Sequence, residues 1–200
     1  MKKTIDKFFP LFLLPPLIVL AVTLGSYFIE PTFKPVTDKH LTQVFDKLKQ
    51  AAGKEASDIY VYIDDTMVTP NAYATYILDR NTASYRPIVA ISPSMLHKVE
   101  TEAELAYILS HELAHHLLGH TTLSMATGGQ QSKLYFYQSK LLELNADRLG
   151  ILIAAQAGYG LCGAFSYWKR DVQSKGVTHG HTHPDNIRRL RTANSLCYNL

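Results

Sequence analysis

Residues His111-Glu112-Leu113-Ala114-His115 constrain the fold of this chain more than any other segment. Residues four positions apart share one face of a helix, so both imidazoles can reach a single metal ion if the segment is helical. Glu112 follows the first imidazole directly, where a carboxylate meets water held at such an ion. The flanking sequence supplies the helix. Thr101-Glu102-Ala103-Glu104 predicts a capping box, with Thr101 as N-cap and Glu104 reaching back to it. From Glu102 to Leu118 there is neither Gly nor Pro, and Leu105, Ile108, Leu109, Leu113 and Leu117 recur at helical spacing.

A tetrahedral ion needs a third protein donor and an open position for water. One class of zinc peptidases takes that donor from a histidine six residues past the second imidazole, after a glycine at three. Those positions are Thr121 and Leu118 here, and Gly119 and His120 are out of register. The other class uses a Glu from a later helix. Glu143 answers to it, with Asp147 four residues on and sharing its face. Leu134, Leu141, Leu142, Leu149, Ile151 and Leu152 predict a helix from about Gln131 to Gln156, closed by Gly158. Asp147 is then placed to accept the second ring N–H of a ligand imidazole, His111, and fix its tautomer.

These elements together resemble the peptidase family that contains the CAAX prenyl endoproteases and the bacterial envelope and mitochondrial quality-control metalloproteases. Asn71-Ala72-Tyr73-Ala74 is similar to that family's Asn-Ala edge-strand motif. His111–His115 matches its zinc helix, and Glu143 to Gly150 its third-ligand helix. His183-Pro184 with Arg189 matches its His-Pro-x4-Arg element. The resemblance spans roughly residues 38 to 195. It implies a zincin-like domain holding one Zn²⁺ through His111, His115 and Glu143, with Glu112 as general base. It also implies that His183 and Arg189 face the active site and stabilise the transition state, and that Asn71 and Ala72 align the substrate backbone. Where the family often continues Gly-rich after that motif, this chain has Thr75-Tyr76-Ile77-Leu78-Asp79-Arg80.

Two hundred residues with 46% hydrophobic content suffice for one core. A net charge of +3, scattered along the chain, gives no footprint for nucleic acid. Residues 1–30 stand apart from residues 31–200. From Phe8 to Ile29 no residue is charged, and Lys2, Lys3 and Lys7 precede the run. Such a segment predicts an N-terminal hydrophobic helix, either an uncleaved membrane anchor with its N-terminus in the cytoplasm or a cleaved export signal, the anchor being favoured. Either places residues 31–200 in the cell envelope, outside the cytoplasm. Cys162 and Cys197 are the only cysteines, and in an exported chain the pair suggests a disulfide, with two buried free thiols as the alternative.

Elsewhere, Pro31 and Pro35 mark a linker, and Asp38 caps an amphipathic helix (Leu41, Val44, Phe45, Leu48) that Gly53 ends. Ile59–Ile63, Ala72–Leu78 and Pro87–Ile91 predict three strands ahead of the helices, an α+β class, mostly helical with a small sheet. Gly128 and Gly129 mark a loop or hinge between the two ligand helices. His97, His116 and His120 fall off the ligand face as surface or packing residues, and His179 and His181 as solvated loop residues. The expected activity is a zinc endopeptidase acting on unfolded or misfolded polypeptide. Two alternatives share the same residues: a non-proteolytic holdase, and a zinc hydrolase of a non-protein substrate.

Overall fold

The computed structural model describes residues 37–80, 83–126, 133–180 and 183–198. The hydrophobic run 8–29, the linker at Pro31 and Pro35, the Gly128-Gly129 loop and His181 lie outside the described residues, and so do the expectations attached to them. Among the described residues no helix is long and apolar enough to cross a membrane.

Helix α1 (Asp38–Ala52) buries Leu41, Val44, Phe45 and Leu48 along one stripe. Its N-cap is Thr37 rather than Asp38: the Thr37 hydroxyl accepts from His40 N–H at 3.2 Å, and Asp38 lies in the first turn, where its charge suits the helix dipole. Gly53 ends α1 at φ 95°, a conformation that costs a Cβ-bearing residue.

Three strands follow, β1 (Tyr60–Ile63), β2 (Ala72–Asp79) and β3 (Ser84–Ile91), in the order β1-β3-β2. β1 is parallel to β3, with Tyr60 opposite Ile88, and β2 is antiparallel to it, with Ala74 opposite Val89. β3 begins three residues earlier than expected, so Pro87 falls inside it. Proline is tolerated there because pairing with β1 starts only at Ile88, leaving that stretch of β3 with a strand on one side alone. Thr75 to Asp79, where the family often turns Gly-rich, simply extend β2.

A short helix, α2 (Pro93–Lys98), is capped by the Ser92 hydroxyl. Helix α3 (Glu102–Leu117) then runs through the middle of the molecule. Everything from Glu104 to His111 is buried, so α3 is covered on all sides instead of showing one apolar stripe. Thr101 caps it as expected, accepting from Glu104 N–H at 3.1 Å. The reciprocal half of the capping box is absent. The Glu104 carboxylate, 1% exposed, accepts instead from Glu100 N–H and pairs with Arg170 through both oxygens. A buried carboxylate needs a full ionic partner, and a single N–H would not repay its desolvation.

Helix α4 (His120–Ala126) was not foreseen. Helix α5 (Lys133–Ala154) ends in one wide turn over Ala155–Tyr159, where Gly158 takes φ 91°. Helices α6 (Gly163–Lys175) and α7 (Asn186–Tyr198) close the fold, joined by the predicted Cys162–Cys197 disulfide with Cα atoms 4.8 Å apart. On the loop-entropy account a crosslink over 35 residues is worth about 3–4 kcal/mol. Leu105, Leu109 and Leu113 of α3, Phe45 and Leu48 of α1, Ile91 of β3 and Ile151 of α5 form the shared core. This is the mostly helical α+β architecture expected, with a smaller role for strands than for helices.

Candidate metal centre and cleft

Helix α5 reaches the two imidazoles because it packs on α3 unusually closely. A Cβ added at Gly150 would stand 2.8 Å from the backbone nitrogen of His111, so only glycine admits this approach. Gly150 lies one turn beyond Asp147 and two beyond Glu143, and the contact carries both carboxylates to the histidines.

Three side chains converge there. Glu143 Oε2 lies 3.3 Å from His111 Nε2, Glu143 Oε1 lies 3.4 Å from His115 Nε2, and the two Nε2 atoms are 3.2 Å apart. One donor atom from each falls within 4.8 Å of the others. Glu143 Oε2 is buried without a hydrogen-bond partner: it is near His111 Nε2 but not aligned with it. An orphaned buried carboxylate oxygen is costly, and a divalent ion among these three donors would satisfy it. The donor set, two nitrogens and a carboxylate, suits such an ion.

Behind His111 lies a second layer. Asp147 Oδ1 is 3.0 Å from His111 Nδ1, as expected, which leaves Nε2 turned toward Glu143. Asp147, 1% exposed, also accepts from Tyr107 OH at 2.7 Å and from Arg189 through Nε at 2.9 Å and Nη2 at 2.5 Å. The Tyr107 hydroxyl in turn accepts from Trp168 Nε1, and the Arg189 guanidinium stacks over the Trp168 ring at 4.2 Å. Tyr107 and Trp168 carried no periodic or motif signal that marked them in the sequence beyond core packing.

The His-Pro element divides in two. His183 is largely exposed on the cleft, its Nε2 3.6 Å from Glu143 Oε1. Arg189 is buried on α7 with two of its nitrogens held by Asp147, and only Nη1 turns toward Glu143, at 3.9 Å. His183 thus stands on the cleft, whereas Arg189 is buried behind His111, with Nη1 3.9 Å from Glu143 and Nη2 3.3 Å from His111 Nε2. The loop bearing His183 is fixed by Asn186, which accepts from Thr178 N–H and donates to Asp171 and to the Gly176 carbonyl. Asn186 carries no sequence signal of this role, because an Asn two residues after a Pro reads as ordinary turn chemistry.

Electrostatics separates the carboxylates. Burial pushes Glu112 up to about 7; the Glu143 charge adds to this, while His111, Arg189 and a hydrogen bond from the Ala74 backbone N–H oppose it. A carboxyl held there can both take and return a proton near neutral pH. Burial would raise Glu143 as well, but His111, Arg189 and His115 outweigh it and hold it at about 2. Asp147 is kept far below the carboxylate range by Arg189 and His111 despite its burial. Burial drives His115 down to about 3, while His111, despite its burial, is held up at about 9 by Asp147 and Glu143, so a metal bound here must displace a proton from His111.

Two cavities meet at this point. One of about 730 Å³ runs between β2 and helices α4 and α5, past Leu123 and Leu142. The other, about 480 Å³, runs beside Trp168, His179, Gly180, His183 and Pro184. Asn71, Ala72, His111, Glu112 and His183 line both. Asn71 sits just ahead of β2, its backbone tied to Ser92 on both sides. Of the remaining histidines, His97 is exposed and His179 pairs with Asp185 on the surface. His116 packs, its Nε2 2.8 Å from the Ile88 carbonyl. His120 does neither: it lines the larger cavity and touches His115.

No curated protein matches the chain. The model of peptidase family M48 matches residues 35–142, a span that takes in the edge strand and the whole His111–His115 helix and stops one residue short of Glu143. With more than half its length matched, the chain belongs to peptidase family M48, and two imidazoles and a carboxylate that could hold a metal ion converge in it.

Proposed function

We propose that this metallopeptidase is a zinc-dependent endopeptidase of the cell envelope that cuts unfolded or damaged polypeptide. The observation that carries the endopeptidase reading is the pair of cavities joined at Glu112. An exopeptidase closes its cleft on one side of the scissile bond, whereas among the described residues space continues in both directions here. β2, the edge strand nearest the site, supports backbone recognition by strand addition, which selects extended chain segments over folded ones.

His111, His115 and Glu143 would hold the ion. Zinc, when bound, makes water acidic near neutral pH and polarises a carbonyl oxygen. Glu112, beside His111 at 4.0 Å, accepts the proton of the attacking water and delivers it to the leaving amine. His183 stands at the cleft side of Glu143 and donates to the oxyanion as it develops. Asp147, locked by Arg189 and Tyr107, keeps the His111 proton on Nδ1. Asn71 and Ala72 align the substrate backbone along β2.

The full-length chain in detergent should cut a permanently unfolded protein at internal bonds, spare its native form, and stop on adding a chelator. His183→Ala should lower kcat by about 10²–10³-fold, the cost of one oxyanion donor, with metal content unchanged. Release of single terminal residues, or equal cutting of the native form, would refute the reading.

The envelope location is supported by the uncharged run Phe8–Ile29 behind three lysines and by the Cys162–Cys197 bond, which persists in oxidising compartments. Residues after Pro31 are expected to be digested by protease added outside spheroplasts, and the intact chain to stay in the membrane pellet after alkaline carbonate. A protected catalytic domain would place it in the cytoplasm instead.

A further inference from the structure

Asp147 accounts for one ligand imidazole, and the other has a partner of a different kind. His115 turns Nε2 toward Glu143, and its Nδ1 lies 3.1 Å from Nδ1 of His120. The two rings sit edge to face, 5.1 Å between centroids and 69° between planes. On an unbroken helix a residue five positions on would lie about 140° around the axis, well away from the ligand face. The chain is redirected instead. α3 stops at Leu117, Gly119 takes φ 72°, and α4 starts at His120, which brings that ring back over His115. At that φ a glycine is favoured over every residue with a Cβ.

The proton arrangement follows from the contact. A histidine that offers Nε2 to a metal carries its hydrogen on Nδ1, so the His115 Nδ1–H donates and His120 Nδ1 accepts. The His120 hydrogen must then sit on Nε2. We infer that His120 is a positioning residue that holds the His115 ring and its tautomer, as Asp147 does for His111. This rests on the metal reading above. A neutral acceptor here also avoids placing a second buried anion beside Glu143 and Glu112, which two carboxylate partners would require.

Full-length chain carrying His120→Asn, His120→Gln or His120→Leu, titrated with zinc against a chelating dye, tests the assignment. Asn places its carbonyl oxygen near the position of Nδ1, whereas Gln reaches the position of Nε2. His120→Leu and His120→Gln should weaken zinc binding by about 10–100-fold, the usual effect of losing such a partner, and His120→Asn should retain most of it. Melting of the metal-free forms should be nearly unchanged in all three, separating positioning from folding. Leu binding zinc like the unaltered chain would overturn the inference, as would rescue by Gln and not Asn. Failure of the unaltered chain to bind zinc would instead overturn the metal site itself.

Discussion

Arg189→Ala is expected to destabilise the protein by about 3–5 kcal/mol, because it leaves the Asp147 carboxylate buried without its ionic partner. Arg189 is 8% exposed, grips both Asp147 oxygens and lies over Trp168, and without it Asp147 keeps only His111 Nδ1 and the Tyr107 hydroxyl among its described partners. For a chain of this size the loss corresponds to a melting temperature lower by on the order of 10 °C. Metal affinity should fall with it, since Arg189 would no longer fix the carboxylate that orients His111. Arg189→Lys should not rescue: an ammonium cannot make the two parallel bonds or lie flat on the indole. The motif alone predicts a different outcome, a fall in kcat with stability intact. Thermal denaturation and metal binding on the same sample distinguish them, and an unshifted melt with lowered kcat would return Arg189 to the transition state.

That contrast shows where sequence reading succeeds and where it stops. His111, His115 and Glu112 were legible because helical spacing fixes their common face whatever surrounds them. Glu143 and Asp147 were legible for the same reason, and their distances to the histidines agree with it. Spacing within a helix says nothing about a chain reversal, so periodicity puts His120 off the ligand face, whereas Gly119 turns it back. Nor does it say how deep a side chain lies. Glu104 fitted a capping box on local grounds, yet Arg170, distant in sequence, outcompetes the Thr101 backbone for it. Arg189 and His183, six residues apart in one motif, divide between core and cleft for a similar reason: α7 turns the first inward, and the Asn186 clamp holds the second out. The strands were placed within a few residues, and the error at Pro87 came from not knowing how far β1 extends along β3.

Glu112→Gln is the other change with a large expected effect. Its carboxyl, raised by burial to about 7, lies beside the ligand set and is poised to exchange a proton. Removing a general base of this kind costs about 10²–10⁴-fold in rate. The amide keeps the size of the side chain and lies outside the ligand set, so metal binding should survive. Glu143→Ala should do the opposite, since it removes a ligand. Metal content and turnover measured together on the unaltered chain, Glu112→Gln and Glu143→Ala therefore test the central claim most directly. The account predicts about one zinc per chain in the first two, turnover only in the first, and neither metal nor turnover in the third. Full metal in Glu143→Ala, or undiminished turnover in Glu112→Gln, would contradict it.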